Sequence, residues 1–536
     1  MRSGSSRHPD RVGVAVSALE TGTDPRPSAR KRGAARLRRG STPAAGAPRP
    51  AASRRGFGAR AIESSRLNAR RVVAPLITGL AGAVFLGLAA TRRLNFDEAL
   101  ALRAGWLDLA RDRAAPAFLM PWTLLVGALG HAVADPGALL RSLRLLAAGG
   151  VAWSFHGALR AAGLSGTAMA AASWLAIANA AFLTHALEFR YDAAVLILLL
   201  VAFRLLVLEG SRVALGGVTA GLALHHLKGG FYAAGVIALL LLQSTDRRHD
   251  LRRLLFGAAL AGGAWLAVLA PLGLLGRFVE SLRTYVSLAA GGGRTPVGEA
   301  LGPVLLSDFA WWLVAMVVLG HRALRRVRRP SDRQDVVAMS LAALGIGFWV
   351  VHPHAWAYLA ALPVPFLVLA VIRALARDAG ARRWGAAAAL VGVLLQIASG
   401  AAPPLAQVPR ALAAPLAPEI ALLRELRAEL QPGDRVLDPA GLLYFVPPCV
   451  HEWYVDTLLV ERVRAGTWMS ELGPGVPPSC NLALNTYRLN ALPRGAREGL
   501  ARNFVPLASG LVVRRDRPIG RGLAELPGTG QVENFW

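Results

Sequence analysis

Long apolar runs separated by short, arginine-bearing loops dominate the chain from Val72 to Gly400. The first run, Val72 to Ala90, carries no charge and is long enough to cross a bilayer as a helix. Comparable runs follow at 138–160, 166–184, 187–208, 212–225, 230–243, 253–275, 302–320, 335–351, 355–375 and 383–400, which predicts about eleven transmembrane helices. Ala115 to Val133 is also apolar. Counting it as a span would send Arg247, Arg248, Arg252, Arg253 and the run from Arg322 to Arg333 outside, against the positive-inside bias, so it reads as re-entrant or interfacial. Residues 95–112 intersperse Phe96, Leu100, Leu102, Trp106, Leu107 and Leu109 with Arg103, Asp108 and Arg111, the pattern of a helix lying along the membrane surface.

The flanks differ in kind. Residues 1–71 are rich in Arg, Ser, Pro, Gly and Ala without sustained periodicity, and predict a disordered basic tail held in the cytoplasm. The first span then runs outward, which puts Asp97 and Glu98 on the extracytoplasmic side. Residues 401–416 form a Pro/Ala-rich linker, after which polarity rises. Glu419 to Leu430 has helical period, and Asp434 to Asp438 reads as a strand after a Pro-Gly turn. Asn481 to Leu484 and Gly510 to Arg514 read as further strands, with a helix at Arg494 to Asn503. The expected fold class is a polytopic α-helical membrane protein, 72–400, with a small extracytoplasmic α/β domain, 417–536.

Composition supports this reading. With 536 residues, 54% hydrophobic and a mean hydropathy of +0.42, the chain is too apolar for one soluble core. The net charge of +27 suggests nucleic acid, but residues 1–71 hold 17 Arg or Lys against 4 Asp or Glu, about half the surplus. Much of the rest sits in short loops, as expected of cytoplasmic loops, so membrane lipid and not nucleic acid is the expected partner. No cleavable signal peptide is visible. Lys31 and Lys228 are the only lysines, so Lys228 among apolar residues stands out. Cys449 and Cys480 are the only cysteines, and no Cys/His metal spacing exists. In an oxidising compartment they could pair; two unpaired buried thiols is the alternative.

Four polar clusters fall at outer ends of the predicted spans. Asp97-Glu98 follows the first span, where acids are also common topological punctuation. His185 to Asp192 opens another with Glu188, Arg190 and Asp192; on a helix, Glu188 and Asp192 share a face at i, i+4. Charges at the mouth of a span face a bundle interior or water cavity, or form an ion-pair anchor between helices. In His225-His226-Leu227-Lys228-Gly229-Gly230 a lysine suited to phosphate stands beside glycines that admit a ligand; the alternative is a polar turn with a snorkelling Lys. His352-Pro353-His354 with Tyr358 could bind phosphate or a divalent metal, or simply cap a turn. The loop from Arg277 to Arg294, with Arg283, could clamp an anion or be an ordinary connector. Carboxylates and cations gathered on one membrane face suit transfer from a lipid-linked phosphate donor: a carboxylate takes the acceptor proton while cations stabilise the leaving phosphate.

The order of short motifs resembles the membrane-embedded C-type glycosyltransferases of family 39, the protein O-mannosyltransferase and aminoarabinose-transferase kind. It covers about residues 72–516 and rests on Phe96-Asp97-Glu98-Ala99, Arg144-Leu145-Leu146, Leu187 to Asp192, Leu227-Lys228-Gly229, Ala360-Ala361-Leu362-Pro363, Val436-Leu437-Asp438 and Gly510 to Arg515. The resemblance implies inverting transfer from a polyprenyl-phosphate sugar to an extracytoplasmic lipid, glycan or protein at the plasma membrane. The base would be Asp97, with Glu98 supporting it. Lys228, Arg190 and Arg283 would engage the donor phosphate, while Glu188, Asp192, His352 and Tyr358 line the pocket. One departure bears on the acceptor side, or on activity itself: many relatives carry a His-Pro-Pro-like segment where this chain reads Ala115-Pro116-Ala117-Phe118-Leu119-Met120-Pro121-Trp122. A transporter or flippase of lipid-linked sugar is the alternative; it calls for polar groups through the whole membrane depth. A non-catalytic membrane scaffold, which would tolerate loss of Asp97 and Lys228, is the third.

Overall fold

A computed structural model describes residues 56–91, 98–99, 101–103, 121–225, 227–276, 278–280, 283, 297–326, 332–352, 357–400, 408–409, 412, 417–451, 455 and 460–526. The expectations for residues 1–55 and Asp97, and most of those for the 401–416 linker, lie outside them. Helix α1 spans Gly56–Thr91, so residues 56–71 are helical and not part of an unstructured tail. The segment is rich in Ala, Arg and other helix formers, and extending an existing helix costs far less than nucleating one.

The chain continues through α2 (Pro121–Ala132), α3 (Pro136–Ala161), α4 (Gly166–Ile177), α5 (Ala180–His185), α6 (Tyr191–Val207), α7 (Arg212–His225), α8 (Leu227–Gln243) and α9 (Arg247–Leu269). Then come α10 (Val297–Ser307), α11 (Phe309–Arg326), α12 (Arg333–Val351), α13 (Val364–Arg377) and α14 (Ala379–Ala398). Among the described residues four helices are long and apolar enough to cross a membrane: Val72–Thr91, Arg247–Leu269, Arg333–Val351 and Tyr358–Arg377. A fifth is the pair Leu301–Ser307 and Phe309–Arg325, bent by 87° at Asp308. Side chains such as Val72, Leu76 and Leu80 of α1, Leu255, Phe256 and Leu260 of α9, and Leu390, Leu394 and Ile397 of α14 are exposed. Apolar surface on that scale suits a lipid solvent, and the protein is a multi-pass membrane protein.

Two runs that look continuous in hydropathy are broken. The 166–184 run divides into α4 and α5 because Asn179 caps the second helix, its side chain accepting from the Phe182 N–H at 2.9 Å. The 302–320 run bends at Asp308, whose buried carboxylate accepts from the Ala180 N–H at 2.9 Å. At 12 residues, about 18 Å, α2 is shorter than the hydrocarbon layer. The stretch from Tyr358 to Arg377 is the most deeply embedded, 89% of it buried.

Polar groups gather at both ends of α12, about 28 Å apart. At its start, Arg373 Nε lies 2.6 Å from the buried Asp335; Arg322 also pairs with Asp335, Arg377 with Asp332, and Arg373 donates to the Ala162 carbonyl. This set ties α11, α12 and α13 to the end of α3. Close backbone approach does the same for α7 and α9. A Cβ on Gly216 would lie 1.9 Å from the Leu254 carbonyl oxygen, and one on Gly257 1.9 Å from that of Val213.

The C-terminal part carries α15 (Ala417–Glu429) and a four-stranded sheet in the order β1 (Val436–Leu437), β2 (Leu482–Leu484), β4 (Leu511–Arg514), β3 (Phe504–Pro506). β1 pairs parallel to β2, with Val436 opposite Leu482; β4 runs antiparallel to both β2 and β3, with Val513 opposite Leu482 and Val505. Strand β3 follows α16 (Arg494–Asn503) directly and has no alternating signal of its own, so sequence reading passes over it. Cys449 and Cys480 are joined by a disulfide, their Cα atoms 5.1 Å apart. Asp434 meets Arg517 at 2.6 Å. Burial works to raise that carboxyl, but Arg517, the Gln431 N–H and Asn481 outweigh it and hold it low. Arg424 of α15 grips Asp135, the N-cap of α3, through two bonds of 2.6 and 2.9 Å, and Arg427 donates to the Ala134 carbonyl.

Candidate active site

The turn between α5 and α6 organises the site. His185 ends α5, Arg190 is the N-cap of α6, and Asp192 lies in its first turn, where the helix dipole favours an anion. Because α6 begins only at Tyr191, Glu188 lies before the helix and does not share a helical face with Asp192, contrary to the i, i+4 expectation. The non-helical path of residues 187–190 brings Glu188, Arg190 and Asp192 into one cluster instead. Arg190 lies 3.3 Å from Glu188 and 3.1 Å from Asp192. The His185 ring is 3.4 Å from Glu188.

Lys228, at the start of α8, reaches Asp192 at 3.0 Å and donates to the Tyr358 hydroxyl at 3.2 Å. Tyr358 comes from the 3-10 turn Ala357–Ala361 that leads into α13. Its ring lies 4.3 Å from the Lys228 ammonium and 4.1 Å from the Arg190 guanidinium, a double cation–π arrangement. Tyr191 offers a second face to Lys228 at 4.9 Å. None of Glu188, Arg190, Asp192 and Lys228 is more than 6% exposed. Two cations, two carboxylates and a phenol thus meet in a space withdrawn from water, where charge interactions are strong and truncating one partner is costly.

Glu98 anchors the neighbouring segment. Its carboxylate receives both Nε (3.0 Å) and Nη2 (2.6 Å) of Arg144, from within α3. It also accepts the Phe189 N–H at 3.1 Å, one residue from Glu188. The Phe189 carbonyl accepts from the Trp122 indole, so the backbone of this residue is held through both its N–H and its C=O. A carboxylate gripped in this bidentate way suits an anchor that presents its neighbour better than a proton acceptor. Five residues further, Arg103 lies 3.8 Å from Asp438 and donates to the Val446 carbonyl at 3.3 Å. Arg103 is buried, not on the polar face of a surface helix, and its guanidinium is taken up by the Asp438 carboxylate and the Val446 carbonyl. Burial raises the Asp438 carboxyl, while Arg103 and the N–H groups of Leu443, Ala440 and Gly441 pull the other way.

His352 is half-buried as the C-cap of α12, with its ring 5.3 Å from that of Phe348. Arg283 is exposed, and among the described residues no ion pair joins it to the cluster. No group of three His, Cys, Asp or Glu spaced to hold a metal occurs among the described residues. Arg144, Trp122 and Tyr191 also take part, beyond the site residues expected from the sequence. Arg144 had a signal, being a cation within an apolar run, which is expensive in lipid unless paired.

No family profile and no curated protein sequence matches the chain. Solved structures do, among them two of ArnT. One is the crystal structure of ArnT from Cupriavidus metallidurans bound to undecaprenyl phosphate, at 14% identity and a TM-score of 0.54, covering 85% of this chain and 99% of that one. The other is the same transferase in the apo state, at 14% identity and a TM-score of 0.53, covering 86% of this chain and all of that one. At such low identity the likeness is one of fold, and it extends over nearly the whole of the ArnT chain: this protein has an ArnT-like fold.

Proposed function

We propose that the protein is a glycosyltransferase that moves a sugar from a polyprenyl phosphate to an extracytoplasmic acceptor, with inversion at the anomeric carbon. The observation that carries this reading is the buried set of Arg190 and Lys228 around Tyr358, next to the Glu98-anchored segment that leads from Asp97. The acceptor hydroxyl oxygen attacks the anomeric carbon as the bond from that carbon to the phosphate oxygen breaks. Asp97 takes the acceptor proton, and the electron pair leaves with the phosphate, whose charge Lys228 and Arg190 stabilise. Glu188 and Asp192 hold the two cations in place before the donor arrives. Arg283 would add to the cations that engage the donor phosphate, and His352 would line the pocket. The topology that accompanies this reading has about eleven spans, a cytoplasmic N-terminus and an exported 417–536 region in the plasma membrane.

The ArnT bound to undecaprenyl phosphate supports a polyprenyl-phosphate donor by fold analogy. The test is release of sugar from radiolabelled polyprenyl-phosphate donors by protein in lipid nanodiscs, comparing wild type, Asp97→Asn and Lys228→Ala. Both variants should lose turnover, with donor binding kept only in Asp97→Asn. Wild-type turnover in Asp97→Asn would refute the base. Labelled lipid crossing vesicles unconsumed would replace a transferase with a transporter.

A further inference from the structure

The segment beginning at Glu98 is held at two places that lie far apart in the chain. At one end Glu98 grips Arg144 of α3 and the Phe189 N–H between α5 and α6. At the other, Arg103 meets Asp438 and the Val446 carbonyl, in the C-terminal sheet region. Residues 98–99 and 101–103 are helical, and the two grips lie only five positions apart in the chain. Both are buried: Glu98, Arg103, Arg144 and Asp438 are each at most 1% exposed.

The Asp438 end is built for rigidity. Its carboxylate accepts the N–H groups of Ala440 (3.1 Å), Gly441 (3.0 Å) and Leu443 (2.7 Å), which fixes the turn that follows β1. Arg488 donates to the Pro439 carbonyl in the same turn at 3.3 Å. Val446, whose carbonyl receives Arg103, is itself fully buried. The turn therefore presents a preformed carboxylate and carbonyl to Arg103, and the residue before Glu98 is Asp97.

We propose that Arg103 and Asp438 are positioning residues that clamp the Asp97-bearing segment, so that the C-terminal sheet sets the placement of the base without touching substrate. The inference rests on the sugar-transfer reading and deepens it. Loosening the clamp displaces the base and leaves the phosphate-binding cations Arg190 and Lys228 where they are. A displacement of about 1 Å in a reacting group costs up to about a hundredfold in rate. The signature is a split: turnover falls while affinity for the lipid phosphate holds.

The experiment uses the full-length protein in nanodiscs with Asp438→Asn, Arg103→Met and Arg103→Lys. Turnover is read with the donor that the wild type consumes, binding with undecaprenyl phosphate, and order by hydrogen exchange in the peptide containing residues 98–103. Asp438→Asn and Arg103→Met should lose at least about tenfold in kcat. Undecaprenyl phosphate affinity should stay within about twofold, and exchange in 98–103 should quicken. Arg103→Lys, which keeps a charge opposite Asp438, should recover much of the turnover. Unchanged kcat in Asp438→Asn overturns the proposal, as does parallel loss of turnover, lipid binding and global protection, which would mean a general folding role. If the wild type consumes no donor, the sugar-transfer reading falls and the positioning role with it. Faster exchange of 98–103 in Asp438→Asn then still separates that failure from failure of the clamp.

Discussion

The Glu98–Arg144 pair offers the sharpest test of how the site is held. Arg144→Met removes a guanidinium of similar length and leaves Glu98 buried; Glu98→Gln removes the opposite charge and leaves Arg144 buried. At 2.6 Å and an effective dielectric of about 20, the gross attraction is about 6 kcal/mol, most of it offset by the desolvation of both ions. Breaking such a pair from one side costs about 3–5 kcal/mol, because the remaining charge has lost its partner. Removing both charges avoids that penalty, so the double variant should be more stable than the sum of the singles implies, with a coupling of about 2 kcal/mol or more. The assay is thermal unfolding in a mild detergent, followed by intrinsic fluorescence, for wild type, both singles and the double. Each single variant should melt on the order of 5 °C lower, and the double less than twice as far. Additive losses, or singles that melt with the wild type, would refute a load-carrying buried pair. Turnover is a second readout, because the same carboxylate holds the Phe189 peptide beside Glu188.

Two further outcomes follow from contacts outside the cluster. Gly216→Ala puts a Cβ 1.9 Å from the Leu254 carbonyl oxygen and should cost about 1–3 kcal/mol as α7 and α9 separate, whereas Gly217→Ala, whose nearest neighbour is 4.0 Å away, should be close to neutral. Equal melting temperatures for the two would contradict the close helix contact. Arg424, aided by backbone N–H groups, lowers the Asp135 carboxyl from 3.8 to about 2. The contribution is therefore fully present above about pH 4 and lost as pH falls through about 2. Hydrogen exchange in residues 417–429 should quicken over that window in wild type more than in Asp135→Asn; parallel profiles would mean that the pair does not dock α15.

Several features were legible in the residues alone. Apolar runs of span length marked the membrane class, because a bilayer tolerates only segments that satisfy their own backbone. Lys228 stood out by its rarity and by its place among apolar residues, and it does sit with Asp192 and Tyr358. The break at Asn179 and the bend at Asp308 were hidden, since a hydropathy window averages over one polar residue. The start of α6 at Tyr191 was hidden too, because local periodicity does not say whether residues 187–190 are helical. That single point decides that Glu188 and Asp192 share no helical face, although Arg190 brings them together.

What the chain determines by itself is therefore the class of environment: lipid-facing helices, a basic N-terminal segment, and a few charges too expensive to leave unpaired in an apolar bundle. What only the tertiary structure decides is who pairs with whom. Glu98 meets Arg144 across 46 residues, Lys228 meets Asp192 across 36, and Arg103 meets the turn at Val446 across 343. A buried charge demands a partner, and sequence states the demand. The partner is chosen by which helices and strands pack side by side, and that choice depends on the shape of the whole bundle.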